Sequence, residues 1–303
     1  MIDASGQVGS SRGSITMFAG KGGVGKTTCA AAAALHFASS GEQTLAISTD
    51  ATPSLSHIFE MTDDRKPARV KESLYINELG GKEVKEMWDR KFGSEVYEVF
   101  SSFVSIDYVE FVEFMTSVLP GLSDEFMVDY IRELSQRGEY QTIIWDTAPL
   151  GQTLALLKTP AMLGEHLRMA PRIYSKLKLG QGSRQPILDI IKQWEKLSMA
   201  NMDFLRNEVR FTMVTIPEAL AVEQLEDIFG ELNECGLKVQ RLIINNVVKA
   251  EGSDFLLSKA RQQRNYLELI YDRYADLEII ELPMFPYELK GLDRLKEVES
   301  ILF

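Results

Sequence analysis

The chain is expected to fold as an α/β protein, with a mostly parallel sheet flanked by helices and an inserted helical subdomain. Three observations predict this. Short apolar runs recur at residues 15–19, 44–48, 142–145, 209–214, 241–244 and 277–282, separated by helix-prone stretches. A glycine-rich loop follows the first run and leads into an alanine-rich stretch at 28–39 with high helix propensity. Two long stretches, about 82–135 and 161–205, break the alternation with helical spacing of their apolar residues.

The elements follow in that order. Residues 1–14 are polar and rich in Gly and Ser, and read as a flexible tail before a core of 15–303. The runs are continuous rather than alternating, as strands buried on both faces require. Such a sheet binds ligands at the carboxyl ends of its strands, where Asp50 and Asp146 follow two of the runs. In the helical stretches, Val84, Met87, Trp88, Phe92, Val96, Val99, Phe100 and Phe103 form one periodic set, and Ile187, Ile190, Ile191, Trp194 and Leu197 a second.

Composition narrows the function classes. With 45% hydrophobic and 25% charged residues in 303, the chain can bury a substantial core. A net charge of −11 argues against sequence-independent nucleic-acid binding, which draws on a basic surface, so no nucleic-acid partner is expected. Two distant cysteines, Cys29 and Cys235, make no disulfide framework, which points to a reducing cytoplasm. No apolar run approaches the ~20 residues of a membrane-spanning helix, so any membrane role is expected to be peripheral and transient.

The string Gly20-Lys21-Gly22-Gly23-Val24-Gly25-Lys26-Thr27-Thr28 fits G-x-x-x-x-G-K-[ST] between a strand and a helix. Glycines let backbone N–H groups close around a phosphate, because no Cβ blocks the approach. Lys26 is placed to meet the β- and γ-phosphates, and the Thr27 hydroxyl to meet Mg²⁺. The following helix N-terminus adds its partial positive charge. The motif predicts a P-loop NTPase fold with ATP and Mg²⁺ as ligands.

The second lysine of the loop, Lys21, resembles the deviant Walker A loop of the ParA, MinD and ArsA class. In that class this lysine reaches a partner's nucleotide, which implies a homodimer and a catalytic part for Lys21 beside Lys26. Three further segments are similar to the ArsA-like ATPases, a family that includes the targeting ATPases for tail-anchored membrane proteins. Ile47-Ser48-Thr49-Asp50-Ala51-Thr52-Pro53-Ser54-Leu55-Ser56 resembles their switch I, and Asp146-Thr147-Ala148-Pro149-Leu150-Gly151-Gln152-Thr153-Leu154 their switch II. Leu282-Pro283-Met284-Phe285 with Glu288-Leu289-Lys290-Gly291-Leu292, and Ile243-Ile244-Asn245-Asn246, resemble the segments around adenine.

The resemblance implies that Asp50 orients the attacking water, that Asp146 holds Mg²⁺ through a water, and that Asn245 reads the adenine edge with Pro283 and Phe285 beside the ring. Switch I has Ala51-Thr52-Pro53 where the family has Pro-Ala-His, and Gln152 replaces the switch II histidine. Phe255-Leu256-Leu257-Ser258 lies in the region where the targeting branch often carries a zinc-binding C-x-x-C, so no zinc is expected.

The function these readings favour is ATP-controlled capture of hydrophobic transmembrane segments and their delivery through a membrane receptor. Residues 108–119 have a broad apolar face and a narrow polar one. Candidates for a client groove are Phe111, Phe114, Met115, Val118, Leu119, Met127, Met162 and Met169, since methionine suits a surface that accepts varied side chains. The alternatives are a regulatory ATPase of the MinD or ParA type and a metalloid-transport ATPase subunit.

Overall fold

The computed structural model describes residues 13–50, 54–62, 67–101, 105–118, 122–148, 157–158, 165, 168, 181–249 and 252–303. The strands are β1 (Ser14–Gly20), β2 (Thr44–Ser48), β3 (Ala68–Lys71), β4 (Leu74–Glu78), β5 (Thr142–Asp146), β6 (Val209–Thr215), β7 (Val239–Val247) and β8 (Glu278–Pro283). They form one sheet in the order β3-β4-β2-β5-β1-β6-β7-β8, parallel throughout except between β3 and β4. Strands β1, β2, β5, β6, β7 and β8 fall on the apolar runs. Every residue of β2 and β5 is buried, as central strands covered on both faces must be.

The β3–β4 hairpin was not expected from the sequence. Arg69 and Lys71 put charge on β3, a feature that protects an exposed sheet edge and hides a strand from an apolar-run reading. Glu78, the last residue of β4, has a local task. Its Oε1 accepts from the backbone N–H of Leu55 at 2.9 Å and of Ser56 at 3.2 Å, capping the short helix α2 (Leu55–Ile58).

Helix α1 (Lys26–Ser39) follows the glycine-rich loop, and its run from Cys29 to Leu35 is at most 1% exposed. Alanines serve there because α1 packs against β5 on one side and against α10 (Gly291–Leu302) on the other, and small side chains let those elements approach. Phe18, Ile144, Val214, Ile243, Leu295 and Val298 fill the same core. Helices α8 (Ala219–Glu234) and α9 (Asp254–Arg273) connect β6 to β7 and β7 to β8.

Residues Met1–Glu78, Glu133–Thr153 and Glu208–Phe303 make one compact unit, and Leu79–Arg132 with Leu154–Asn207 a second. Within the second, α3 (Gly81–Trp88), a π-helical turn (Asp89–Gly93), α4 (Ser94–Ser101), α5 (Tyr108–Val118), most of α6 (Leu122–Arg137) and α7 (Gln181–Asn207) surround an aromatic core. Trp88, Phe92, Phe111, Val112 and Phe126 form that core, with Trp194 and Leu197 of α7 packed on it. Asp129 is buried beside it and ion-pairs with Lys91 and Arg132, while Arg132 Nε donates to Asn201 Oδ1 at 2.8 Å. A charge so buried is tolerated because it is paired and hydrogen-bonded.

One groove candidate, Phe111, is corrected by this packing. Phe111 is 0% exposed and packs with tilted rings against Trp88 and Tyr97, so it belongs to the core of the helical unit. Met127 is half-buried and packs on the same cluster. The reason is the width of the apolar stripe on α5, which leaves periodicity unable to separate the inward face from the outward one. Phe114 is exposed. Leu119, Met162 and Met169, and the side chains of Met115 and Val118, lie outside the described residues.

Candidate nucleotide-binding site

The register of the central strands sets the site. Phe18 of β1 and Ser48 of β2 both pair with Asp146 of β5, so the carboxyl ends of three strands lie level. β1 sits between β5 and β6, where the order of strands reverses, and open α/β sheets bind ligands at that point.

Gly20 ends β1, Lys21 to Gly25 form the loop, and Lys26, Thr27 and Thr28 open α1. Two glycines are required by contact. A Cβ on Gly20 would fall inside contact distance of the Val214 carbonyl oxygen, and one on Gly25 would collide with the Asn245 carboxamide. Gly25 also has φ +94, a left-handed conformation that glycine adopts without strain. Val24 is buried, anchoring the loop from below while Gly22 and Gly23 stay exposed.

Lys26 is 7% exposed and its Nζ donates to the Lys21 carbonyl at 3.1 Å, which holds the ammonium within the loop. Burial lowers its pKa, against the charges of Asp146 and Asp50, which raise it. Lys26, Asp146 and Asp50 therefore share one electrostatic site. Lys21 is half-buried.

Asp146 is the last residue of β5 and 1% exposed. Burial pushes its carboxyl up to about 7, and the hydroxyl of Thr27 and the charge of Lys26 pull it down. Thr27 Oγ1 donates to Asp146 Oδ2 at 2.9 Å, whereas Oδ1 is buried with no hydrogen-bond partner among the described residues. An unsatisfied buried carboxylate oxygen is costly. Together with a hydroxyl beside it, this donor set fits Mg²⁺ bound by Thr27 and, through a water, by Asp146.

Asp50 lies two residues beyond β2, and its backbone N–H donates to Ser48 Oγ at 3.2 Å. Ala51 to Pro53 of switch I and the part of switch II from Pro149 onward lie outside the described residues.

A cavity of about 380 Å³ opens beside the loop, lined in part by Thr27, Thr28, Asn246, Phe285 and Tyr287. That volume suits a small-molecule site. The chain does not bring all the expected adenine residues to it. Asn245 is 7% exposed and its Nδ2 donates to the Val24 carbonyl at 2.8 Å, tying β7 to the phosphate loop. Its neighbour Asn246, with φ +58, lines the cavity instead. Pro283 stays in the ladder opposite Val247, while Phe285 lies on the cavity wall. Ser54 and His57 also line the cavity, and sequence reasoning singled out none of Asn246, Ser54, His57 and Tyr287 as a site residue. For Asn246 the one available signal was its residue type, since asparagine tolerates the left-handed region better than most side chains.

Cys29 is fully buried and its thiol is pushed up to about 12, by burial first and then by the charge of Asp146. It packs in the core rather than presenting a thiolate. Among the described residues, no helix is long and apolar enough to cross a membrane.

Comparison with known proteins gives the family. The family model described as anion-transporting ATPase matches residues 14–303. A protein of Aquifex aeolicus with the provisional name arsenical pump-driving ATPase 2 is 29% identical, over 95% of this chain and 98% of its own. The ATPase ASNA1 homolog of Dictyostelium discoideum is 30% identical over 93% of this chain and 87% of its own. The ATPase GET3A of Arabidopsis thaliana is 28% identical over 91% and 80%. With a complete phosphate loop, a buried acid beside Thr27 and a family match across nearly its whole length, the chain belongs to the ArsA family of ATPases.

Proposed function

We propose that the chain works as an ATP-hydrolysing homodimer that captures the hydrophobic transmembrane segments of tail-anchored proteins in the cytosol and delivers them to a membrane receptor. The observation that carries this reading is α5. Phe111 and Val112 sit in the core of the helical unit, while Val109 is 65% and Phe114 43% exposed. A helix with apolar side chains on both its inward and outward sides suits a partner that is itself apolar. A client helix of ~20 residues is about 30 Å long and needs such cover in water. The relatives named GET3A and ASNA1 homolog support the same branch.

At the sheet, each residue has a separable task. The loop amides and Lys26 bind the phosphates, Thr28 and Phe285 flank the nucleoside side, and Asp50 aligns the attacking water. Thr27 and Asp146 would hold Mg²⁺, which when bound neutralises charge on the phosphate oxygens. Lys21 extends toward the second subunit's nucleotide and makes dimer closure depend on ATP.

The test is co-expression with a tail-anchored protein. A soluble complex released by ATP turnover is expected, and Phe114→Asp should reduce capture while leaving basal hydrolysis intact. Absence of any complex with the purified dimer would sink the reading. Metalloid transport is a second reading, carried by the name of the Aquifex relative. It predicts that arsenite or antimonite stimulates hydrolysis, and the buried, high-pKa Cys29 argues for no stimulation.

A further inference from the structure

Helix α9 buries two residues fully among those described, Ile270 and Gln263. Ile270 is ordinary packing. Gln263, 3% exposed, occupies a position where an apolar side chain would pack without any polar group to satisfy. Both ends of its carboxamide are used, and both go to one short segment of β7. Nε2 donates to the Asn246 carbonyl at 3.0 Å, and Oε1 accepts from the Val248 backbone N–H at 2.8 Å.

That segment is where β7 leaves its ladder. The register with β8 shifts between Ile244 and Val247, and Asn246 takes φ +58. Asn246 O and Val248 N each find their partner in Gln263. On one side of the turn, Asn245 holds the phosphate loop through Val24; on the other, Asn246 lines the cavity with Phe285 and Tyr287.

We propose that Gln263 is a positioning residue for base recognition: its carboxamide holds the Asn245–Asn246 turn in the conformation that presents an amide edge to the purine. The inference rests on reading the cavity as the nucleoside end of the ATP site. The carboxamide acts through the turn and touches no nucleotide atom. A turn that is not held samples other conformations, and the larger loss falls on the base, since the phosphates keep the loop amides and Lys26 while only the Asn245 tie to Val24 is loosened.

The experiment measures KM and kcat for ATP and for ITP, which carries a 6-oxo group in place of the 6-amino group, with the full chain. Gln263→Leu removes both hydrogen bonds at similar volume. It is expected to raise KM for ATP about ten-fold and KM for ITP about two-fold or less, with kcat within about two-fold. Inhibition by inorganic tripolyphosphate should be unchanged. Gln263→Glu keeps the acceptor for Val248 and removes the donor to Asn246, so an intermediate loss of discrimination is expected, and it decides the matter if the leucine variant does not fold. Phe285→Ala separates the two readings. If it raises KM for ATP while both Gln263 variants keep the wild-type preference for ATP over ITP, the positioning role is overturned and the cavity reading stands. If Phe285→Ala also leaves KM unchanged, the cavity is not the nucleoside site and both readings fall.

Discussion

Asp146 is a buried acid beside Thr27 and Lys26, and removing its charge should make the nucleotide-free protein more stable at neutral pH. Its carboxyl is raised from 3.8 to about 7, with burial the main cause. The folded state therefore holds the proton more tightly than the unfolded one. The stability this contributes is complete below about pH 4 and is lost as pH rises through 7. A shift of about 3 units corresponds to about 4 kcal/mol as a ceiling.

For a chain of this length, with unfolding entropy near 2 cal/mol/K per residue, that is about 6 °C in Tm. Asp146→Asn removes the cost but also removes the attraction that keeps Lys26 charged, so a rise of about 3 °C is the expected result. The assay is thermal unfolding of wild type and variant from pH 3.5 to 8.5, without nucleotide or Mg²⁺. The two curves should converge near pH 4, separate between about pH 4 and 7, and run parallel above. Added Mg²⁺-ATP should reverse the order, because the ionised carboxylate is then the favoured form. A difference in Tm that does not vary with pH would refute the assignment of Asp146 as a desolvated acid.

Other outcomes follow from the same geometry. Asp50→Asn should leave ATP binding intact by titration and slow turnover by about 10²- to 10⁴-fold in a single-turnover assay. Phe111→Ala should cost about 3–5 kcal/mol in the helical unit, read by denaturant unfolding, because it empties a site between Trp88 and Tyr97. Lys21→Ala should leave a folded ATP-binding chain that fails to dimerise with ATP, measured by light scattering; an ATP-dependent dimer in the variant would remove Lys21 from its cross-subunit role.

The legible parts of the chain are those where one local constraint decides the residue. Buried parallel strands need continuous apolar runs, so β2 and β5 could be read directly. The phosphate loop needs glycine at fixed offsets, because backbone and the Asn245 side chain approach where a Cβ would stand. The β3–β4 hairpin escaped because an edge strand is selected for charge as much as for burial. The cavity beside the loop is lined by Asn246, one residue after the Asn245 to which the resemblance pointed. Asn245 and Asn246 are chemically identical, and only the left-handed turn between β7 and its bulge decides which carboxamide meets the loop and which meets the cavity.

The helical unit shows the same limit from the other direction. In α5, Phe111 and Phe114 are three residues apart, and a helix with apolar residues on most of its circumference offers no period from which to assign an inside. Partners elsewhere in the chain decide it. Trp88 and Tyr97 cover Phe111, and Phe114 is left exposed. That outward face is where the proposed client would bind, so the residue that matters for capture is the one that core packing leaves exposed. A surface that must admit many different helices is built from apolar side chains that stay exposed in the resting fold, and such positions leave little trace in hydrophobic periodicity. Replacing Phe114 therefore tests function with little effect on stability, and replacing Phe111 tests stability first.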